Sequence, residues 1–144
     1  MTKTEKALLA KGIRPTKMRL KIYKYLKRKT YAVTLKEMQK VFVIKSEVNK
    51  TANKTTFYRA IKLFEEKRMM HQIDDGTAIA KYAVTHENVT AGYGTDLHMH
   101  FHCNACKKTI CLPNQISKES LPENYVTIDV NLVLKGICEK CKKN

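Results

Sequence analysis

Through the first 68 positions apolar residues recur every three to four residues, the spacing of helices with one buried face. Thr2 followed by Glu5 makes a capping box, and Gly12 is a helix terminator. Pro15 is suited to open a second helix as its N1 residue, with Met18, Ile22 and Leu26 forming the buried stripe. Thr34 and Glu37 make another capping box ahead of Leu35, Met38, Val41 and Phe42 on one face. Residues 43–52 are polar and read as a connector. Asn53 then reads as the N-cap of a helix through Lys67, with Phe57, Ile61 and Phe64 turned to the core.

Beyond this helix the period changes to two. Met70 to Ile73 and Ala78 to Val84 read as short strands joined by the turn Asp74-Asp75-Gly76. Three helices and a hairpin are the layout of a winged helix, whose last helix enters the major groove of DNA. On the face opposite its apolar stripe, that helix carries Lys54, Thr55, Tyr58, Arg59 and Lys62, donors suited to phosphates and base edges. A merely solvated helix face is the competing reading, and the hairpin weighs against it. Residues 86–97, HENVTAGYGTDL, are polar with two glycines and read as a hinge. Phe101 to Cys103 and Thr109 to Leu112 read as paired strands, Pro113 to Leu121 as a short helix, and Tyr125 to Leu134 as a half-buried strand. The fold expected is α/β of the α+β type, with domains at 1–85 and 98–144 separated by the hinge.

Charge divides the chain at the same place. Residues 1–85 hold 21 Lys/Arg against 7 Asp/Glu, a net of +14, while residues 86–144 hold 7 against 6. A basic surface on one half suits a polyanion, of which nucleic acid is the commonest. No stretch approaches the roughly 20 apolar residues of a membrane span, so no membrane partner is expected. The opening MTKTEKALLAKG has too short an apolar run for a signal peptide. The expected compartment is the cytoplasm, where clustered cysteines signify metal rather than disulfides.

All five cysteines lie in the second half. Cys103-x2-Cys106 and Cys138-x2-Cys141 are two thiolate hooks, each able to aim two sulfurs at one ion. Together they complete a closed four-cysteine site for one structural zinc per subunit. The 31 residues between the hooks exceed a simple zinc-ribbon linker, so that loop must contain structure of its own. His98, His100 and His102 alternate and share a strand face, with Cys111 available from the adjacent strand. Lone histidines are more often hydrogen-bonded surface or core groups than ligands, and His71 and His86 stand alone.

These residues resemble the ferric uptake regulator (Fur) superfamily of dimeric metal-dependent repressors. The similarity runs from Gly12-Ile-Arg14-Pro-Thr16 and Arg19 through Thr56-Phe57-Tyr58-Arg59 and Asp75-Gly76. It continues through His98-x-His100-x2-Cys103-x2-Cys106 to Leu134-Lys-Gly136-Ile-Cys138-x2-Cys141. The resemblance implies an N-terminal winged helix, a C-terminal dimerisation domain and a double-stranded DNA operator. It implies DNA contacts at Tyr58 and Arg59, in a motif shared with Thr56, Arg14 and Arg19. It also implies a second, regulatory divalent ion at the domain junction, held in part by His98 and His100.

Other family ligand positions depart from the pattern. They fall at Ala32, Ala83 and Val130, and an acid is replaced by Cys111. Thiolate favours zinc over iron(II) or manganese(II), so the expected signal is zinc, with His86 as the fourth ligand and His102 as a substitute. Iron, haem or peroxide sensing, or constitutive DNA binding after loss of sensing, are the alternatives within the family. Outside it stand a zinc hydrolase, for which no HExxH helix or carboxylate base is present, and an RNA-binding adaptor.

Overall fold

In the computed structural model, residues 1–44, 50–85, 98–128 and 130–143 are described, with side chains except at 44, 50–52, 98, 114, 115 and 118. Helix α1 (Lys3–Ala10) opens on the expected capping box: the Thr2 hydroxyl accepts from the Glu5 amide while the Glu5 carboxylate accepts from Thr2 N–H. It closes at Gly12, φ +72°, where the Gly12 amide donates to Leu9 O and the Ile13 amide to Leu8 O. That pairing is a Schellman motif, and it buries Leu8 against Ile13. Helix α2 (Lys17–Arg28) is capped by Thr16, whose hydroxyl accepts from Arg19 N–H. Pro15 therefore stands outside the helix instead of at N1, because the Thr16 hydroxyl can cap the helix and an Arg14 side chain, which only donates, cannot.

Strand β1 (Val33–Thr34) leads into α3 (Leu35–Gln39), capped by Thr34 accepting from the Glu37 amide. A π-helical turn follows at Lys40–Ile44. Its wider turn shifts the buried phase to Val43, five residues after Met38, so Val41 is exposed against the periodicity expected of it. Helix α4 (Lys50–Glu66) begins three residues before Asn53. Asn53 is thus inside the helix, since no Gly or Pro precedes it to stop propagation and Ala52 favours it. Phe57, Ile61 and Phe64 are buried as the stripe required, with Phe57 stacked on Phe42 and Phe64 edge-on to Tyr23.

Strands β2 (Met70–Ile73) and β3 (Lys81–Val84) pair antiparallel, His71 opposite Ala83. Strand β1 adds to the far side of β3, giving the order β1-β3-β2. β3 starts at Lys81 and not at Ala78, because Ala78 sits at φ +68°, where no extended strand runs.

Strand β4 (His98–Cys103) lies at the centre of a second sheet, antiparallel to β5 (Thr109–Gln115) and parallel to β6 (Val133–Gly136). Pro113 falls inside β5 instead of opening a helix; β5 is an edge strand, where a missing N–H leaves no ladder bond unmade. Of the expected helix only a 3-10 turn at Lys118–Ser120 forms. The strand expected over Tyr125–Leu134 is reduced to β6. Tyr125, Val126 and Ile128 stand 75%, 91% and 83% exposed. A strand needs a ladder partner, and among the described residues none lies beside them. The last element, α5 (Glu139–Lys142), is a single turn.

The main apolar cluster draws only on residues up to Val84. Replacing Phe64, fully buried at its centre, by Ala should lower stability by about 3–5 kcal/mol, measured by urea unfolding monitored by circular dichroism.

Candidate metal centres and nucleic-acid interface

β4 delivers Cys103 at its end, and the following turn returns Cys106, whose amide donates to the Cys103 sulfur at 3.4 Å. Because β6 runs parallel beside β4 with Gly136 opposite Cys103, the chain reaches Cys138 two residues later. The Cys138 amide also donates to the Cys103 sulfur, at 3.3 Å. One turn of α5 then brings in Cys141. All four sulfurs lie within 4.8 Å of one another, and Cys106 Sγ is 3.9 Å from Cys138 Sγ. A tetrahedral zinc with Zn–S bonds of about 2.3 Å requires sulfurs roughly 3.8 Å apart, so the four cysteines fit a zinc site. Amides of Cys106 and Cys138 bring the Cys103 thiol down to about 6, while hydrogen bonding to Cys138, with burial, pushes Cys141 up to about 12. One thiolate is therefore ready, and a cation would displace the remaining protons.

A second convergence joins the two units. On β4 and β5, His100 and Cys111 face each other across the ladder. The wing strand β2 lays His71 against both. His71 Nε2 is 3.2 Å from His100 Nε2 and 3.7 Å from Cys111 Sγ, and the three donor atoms lie within 4.8 Å of one another. A tetrahedral zinc would need about 3.4 Å between two imidazole nitrogens and about 3.6 Å from nitrogen to sulfur. These donors fit such an ion with little movement. The Thr85 hydroxyl, 3.4 Å from His71 Nδ1, sets the ring's orientation.

His71 is the residue that sequence reasoning left aside. Its signal was present: the hairpin register puts it directly across from Ala83, one of the two alanines standing at family ligand positions. Both alanines, with Cys111, line a small cavity of about 280 Å³ at the junction. His102 is not part of this group. Its Nδ1 is 2.9 Å from Thr109 Oγ1 and 3.4 Å from Asp75 Oδ2. The pairing of β4 with β5 shifts register between His98 and His100. His98 opens β4, and its side chain, like all of His86, lies outside the described residues.

The exposed face of α4 carries Lys54, Thr55, Thr56, Tyr58, Arg59 and Lys62, with the Tyr58 hydroxyl bonded by Gln39 Nε2. Thr56 and Arg59 share a groove of about 840 Å³ with Lys17, Arg19 and Lys21 of α2. Arg19 Nη1 donates to Arg14 O at 2.9 Å, so the start of α2 is braced and Arg14 is exposed beside it. Residues expected from two separate motifs thus meet on one basic surface.

Residues 10–134 match the ferric uptake regulator family. The chain belongs to that family. A ferric uptake regulation protein of Synechococcus elongatus is 25% identical over 101 residues, 67% of this chain and 64% of that protein, so just under two thirds of the relative's length is spanned. The fold is similar to that of the Vibrio cholerae ferric uptake regulator (TM-score 0.61, 19% identity, 93% of this chain and 98% of that one). It is also similar to a zinc uptake regulator solved with zinc and DNA (TM-score 0.67, 15% identity, 99% and 97% covered). A zinc-bound manganese uptake regulator shares the fold (TM-score 0.61, 20% identity, 95% and 99% covered). Members of the Fur family are transcription regulators, not enzymes, which sets aside the hydrolase. No helix among the described residues is long and apolar enough to cross a membrane.

Burial pushes the Cys111 thiol up to about 11. The metal-free thiol is therefore protonated at neutral pH, and an ion must displace that proton to bind the sulfur. With the four-cysteine site already filled, zinc affinity at His71–His100–Cys111 should rise about tenfold per pH unit between roughly pH 7 and 9, since each ion bound displaces the Cys111 proton. Competition with a chromophoric chelator measures the slope, and Cys111→Ser should flatten it.

Proposed function

We propose that this protein is a metal-responsive transcriptional repressor that binds a pseudo-palindromic DNA operator as a homodimer and senses zinc. The observation that carries the reading is the convergence of His71 from the wing with His100 and Cys111 from the second sheet. Donors from both units meet there, so occupancy stabilises the arrangement in which they are together. A bound divalent ion would supply the Lewis acidity that holds Cys111 as thiolate and accepts an imidazole lone pair from each histidine. Two imidazoles and a thiolate favour zinc over iron(II) and manganese(II), which select carboxylates. His98 and His86 are the candidates for a fourth donor. The four cysteines form the structural site, with one zinc per chain.

In this reading residues 1–85 bind DNA, 86–97 are the hinge and 98–144 dimerise. Arg59, Tyr58 and Thr56, with Thr55, Lys54 and Lys62, face the major groove. Lys17, Arg19 and Lys21 approach the backbone, with Arg14 beside them. A second copy supplies the ladder partner that the exposed Tyr125, Val126 and Ile128 lack among the described residues. Two-fold symmetry then sets two recognition helices against two half-sites. The similarity to the zinc uptake regulator bound to DNA supports this arrangement, and a DNA target places the protein in the cytoplasm.

An operator fragment selected from random duplexes provides the test, read by fluorescence anisotropy after loosely held metal has been stripped. Added zinc should raise affinity by about 5- to 150-fold, the usual range of allosteric coupling, and His71→Ala should abolish the increment while one zinc per chain remains. Affinity indifferent to zinc would overturn the sensing claim. Arg59→Ala should weaken operator binding by about 1–3 kcal/mol without changing metal content.

A further inference from the structure

The wing and the second sheet also meet at a second place, away from His71, His100 and Cys111, through charge instead of donors for an ion. Asp75, in the turn after β2, is fully buried, and so is Thr109 at the start of β5. Asp75 Oδ2 accepts from Thr109 Oγ1 at 2.6 Å and from Lys81 Nζ at 2.6 Å. Its other oxygen accepts from the Thr77 amide at 3.0 Å and from the Thr77 hydroxyl. Lys81 Nζ spends its other protons on Thr109 Oγ1 and on the carbonyl of Lys107, both at 3.2 Å. Because Thr109 gives its only proton to Asp75, the 2.9 Å contact with His102 requires a proton on His102 Nδ1, donated to Thr109. Asp75 and Lys81 belong to the wing; Thr109, His102 and the Lys107 carbonyl belong to the β4–β5 sheet and its four-cysteine turn.

Three further contacts clasp the same ground. Ala32 N–H donates to Thr109 O at 2.7 Å, and Asn131 Nδ2 donates to Asp74 O at 3.0 Å. Gly76, at φ +85°, lies so close under Lys135 that a Cβ there would sit 2.5 Å from its Nζ. The main apolar cluster stops at Val84, so polar, directional bonds hold this part of the junction. Such bonds weaken steeply with misalignment, and a satisfied buried network specifies one geometry where an apolar contact would tolerate sliding.

We propose that Asp75 is a positioning residue: through Lys81 and Thr109 it docks the wing on the second sheet without a regulatory ion, and the ion only tightens a joint already made. The consequence for DNA rests on the repressor reading above; the docking itself does not. Burying a charge pair is weak evidence for stability, but removing one partner strands the other in a dry site. Losing Asp75 should therefore release the wing, and DNA affinity should come to depend steeply on the ion.

The test uses the full-length protein with its four-cysteine zinc in place, comparing wild type, Asp75→Asn, Lys81→Met and the double variant. Hydrogen exchange without added metal should show residues 70–84 losing protection in each variant while α4 keeps it. Loss across α4 as well would mean general unfolding and would overturn a positioning role. If the two residues act as one unit, the double variant should cost no more than either single one; additive costs would overturn the pairing. In operator binding, Asp75→Asn should lose about 100-fold affinity without zinc and recover most of it with zinc, so the zinc response widens beyond wild type. Equal losses with and without zinc would overturn the proposal, since a merely structural defect lowers both. Unchanged protection of 70–84 in Asp75→Asn would also overturn it, whether or not the wild type binds DNA.

Discussion

Thr109 holds the junction of the molecule together. Its hydroxyl bonds Asp75 and Lys81 from the wing and His102 from its own sheet, and its carbonyl takes the amide of Ala32 from the segment entering β1. Four groups from three stretches of chain thus depend on one residue with no exposed surface. Burial alone would push the Asp75 carboxyl up, yet the Lys81 ammonium and the hydroxyls of Thr109 and Thr77 hold it well below the usual carboxylate range. The charge is therefore kept, and with it the requirement that every partner stay in place. Thr109 opens the strand that carries Cys111 and follows the turn that carries Cys106, so wing, cysteine cluster and three-donor site share one short piece of backbone.

Stability and orientation are carried by different chemistry. Helices α1 to α4 and the wing sheet bury Phe57, Phe64, Ile22 and Met38 in one close-packed cluster, where removed area drives folding and exact angles matter less. The link to the second sheet contains a salt bridge, hydroxyls, backbone bonds and the His71, His100 and Cys111 side chains. A regulator whose two units must present a fixed angle to a duplex gains from this division. The apolar core can tolerate small changes of volume, while the junction admits few arrangements.

What the sequence made legible was local or covalently spaced. Caps at Thr2 and Thr34, the stop at Gly12 and the stripe Phe57, Ile61, Phe64 depend on neighbours within four residues. The two cysteine hooks announce themselves by spacing, and their union needs only that β6 run beside β4. What escaped depended on contacts across the chain. Val41 lost its place to Val43 through one wide turn that no periodicity encodes. The strand expected over Tyr125–Leu134 has the right alternation, but alternation cannot supply a partner. His71 was the costliest omission for function. Its register opposite Ala83 follows from the hairpin, whereas its approach to His100 and Cys111 follows only from how the wing docks, and Asp75 fixes that docking.

The thiols of the two proposed sites sit in different environments. Cys103 is drawn down to about 6 by the amides of Cys106 and Cys138, while Cys141 in the same cluster is pushed up to about 12. Cys111 is pushed up to about 11 by burial between the two units, so each ion captured there must first remove a proton at neutral pH. Affinity at the second site is lowered accordingly, while its selectivity for thiophilic ions is kept by the sulfur.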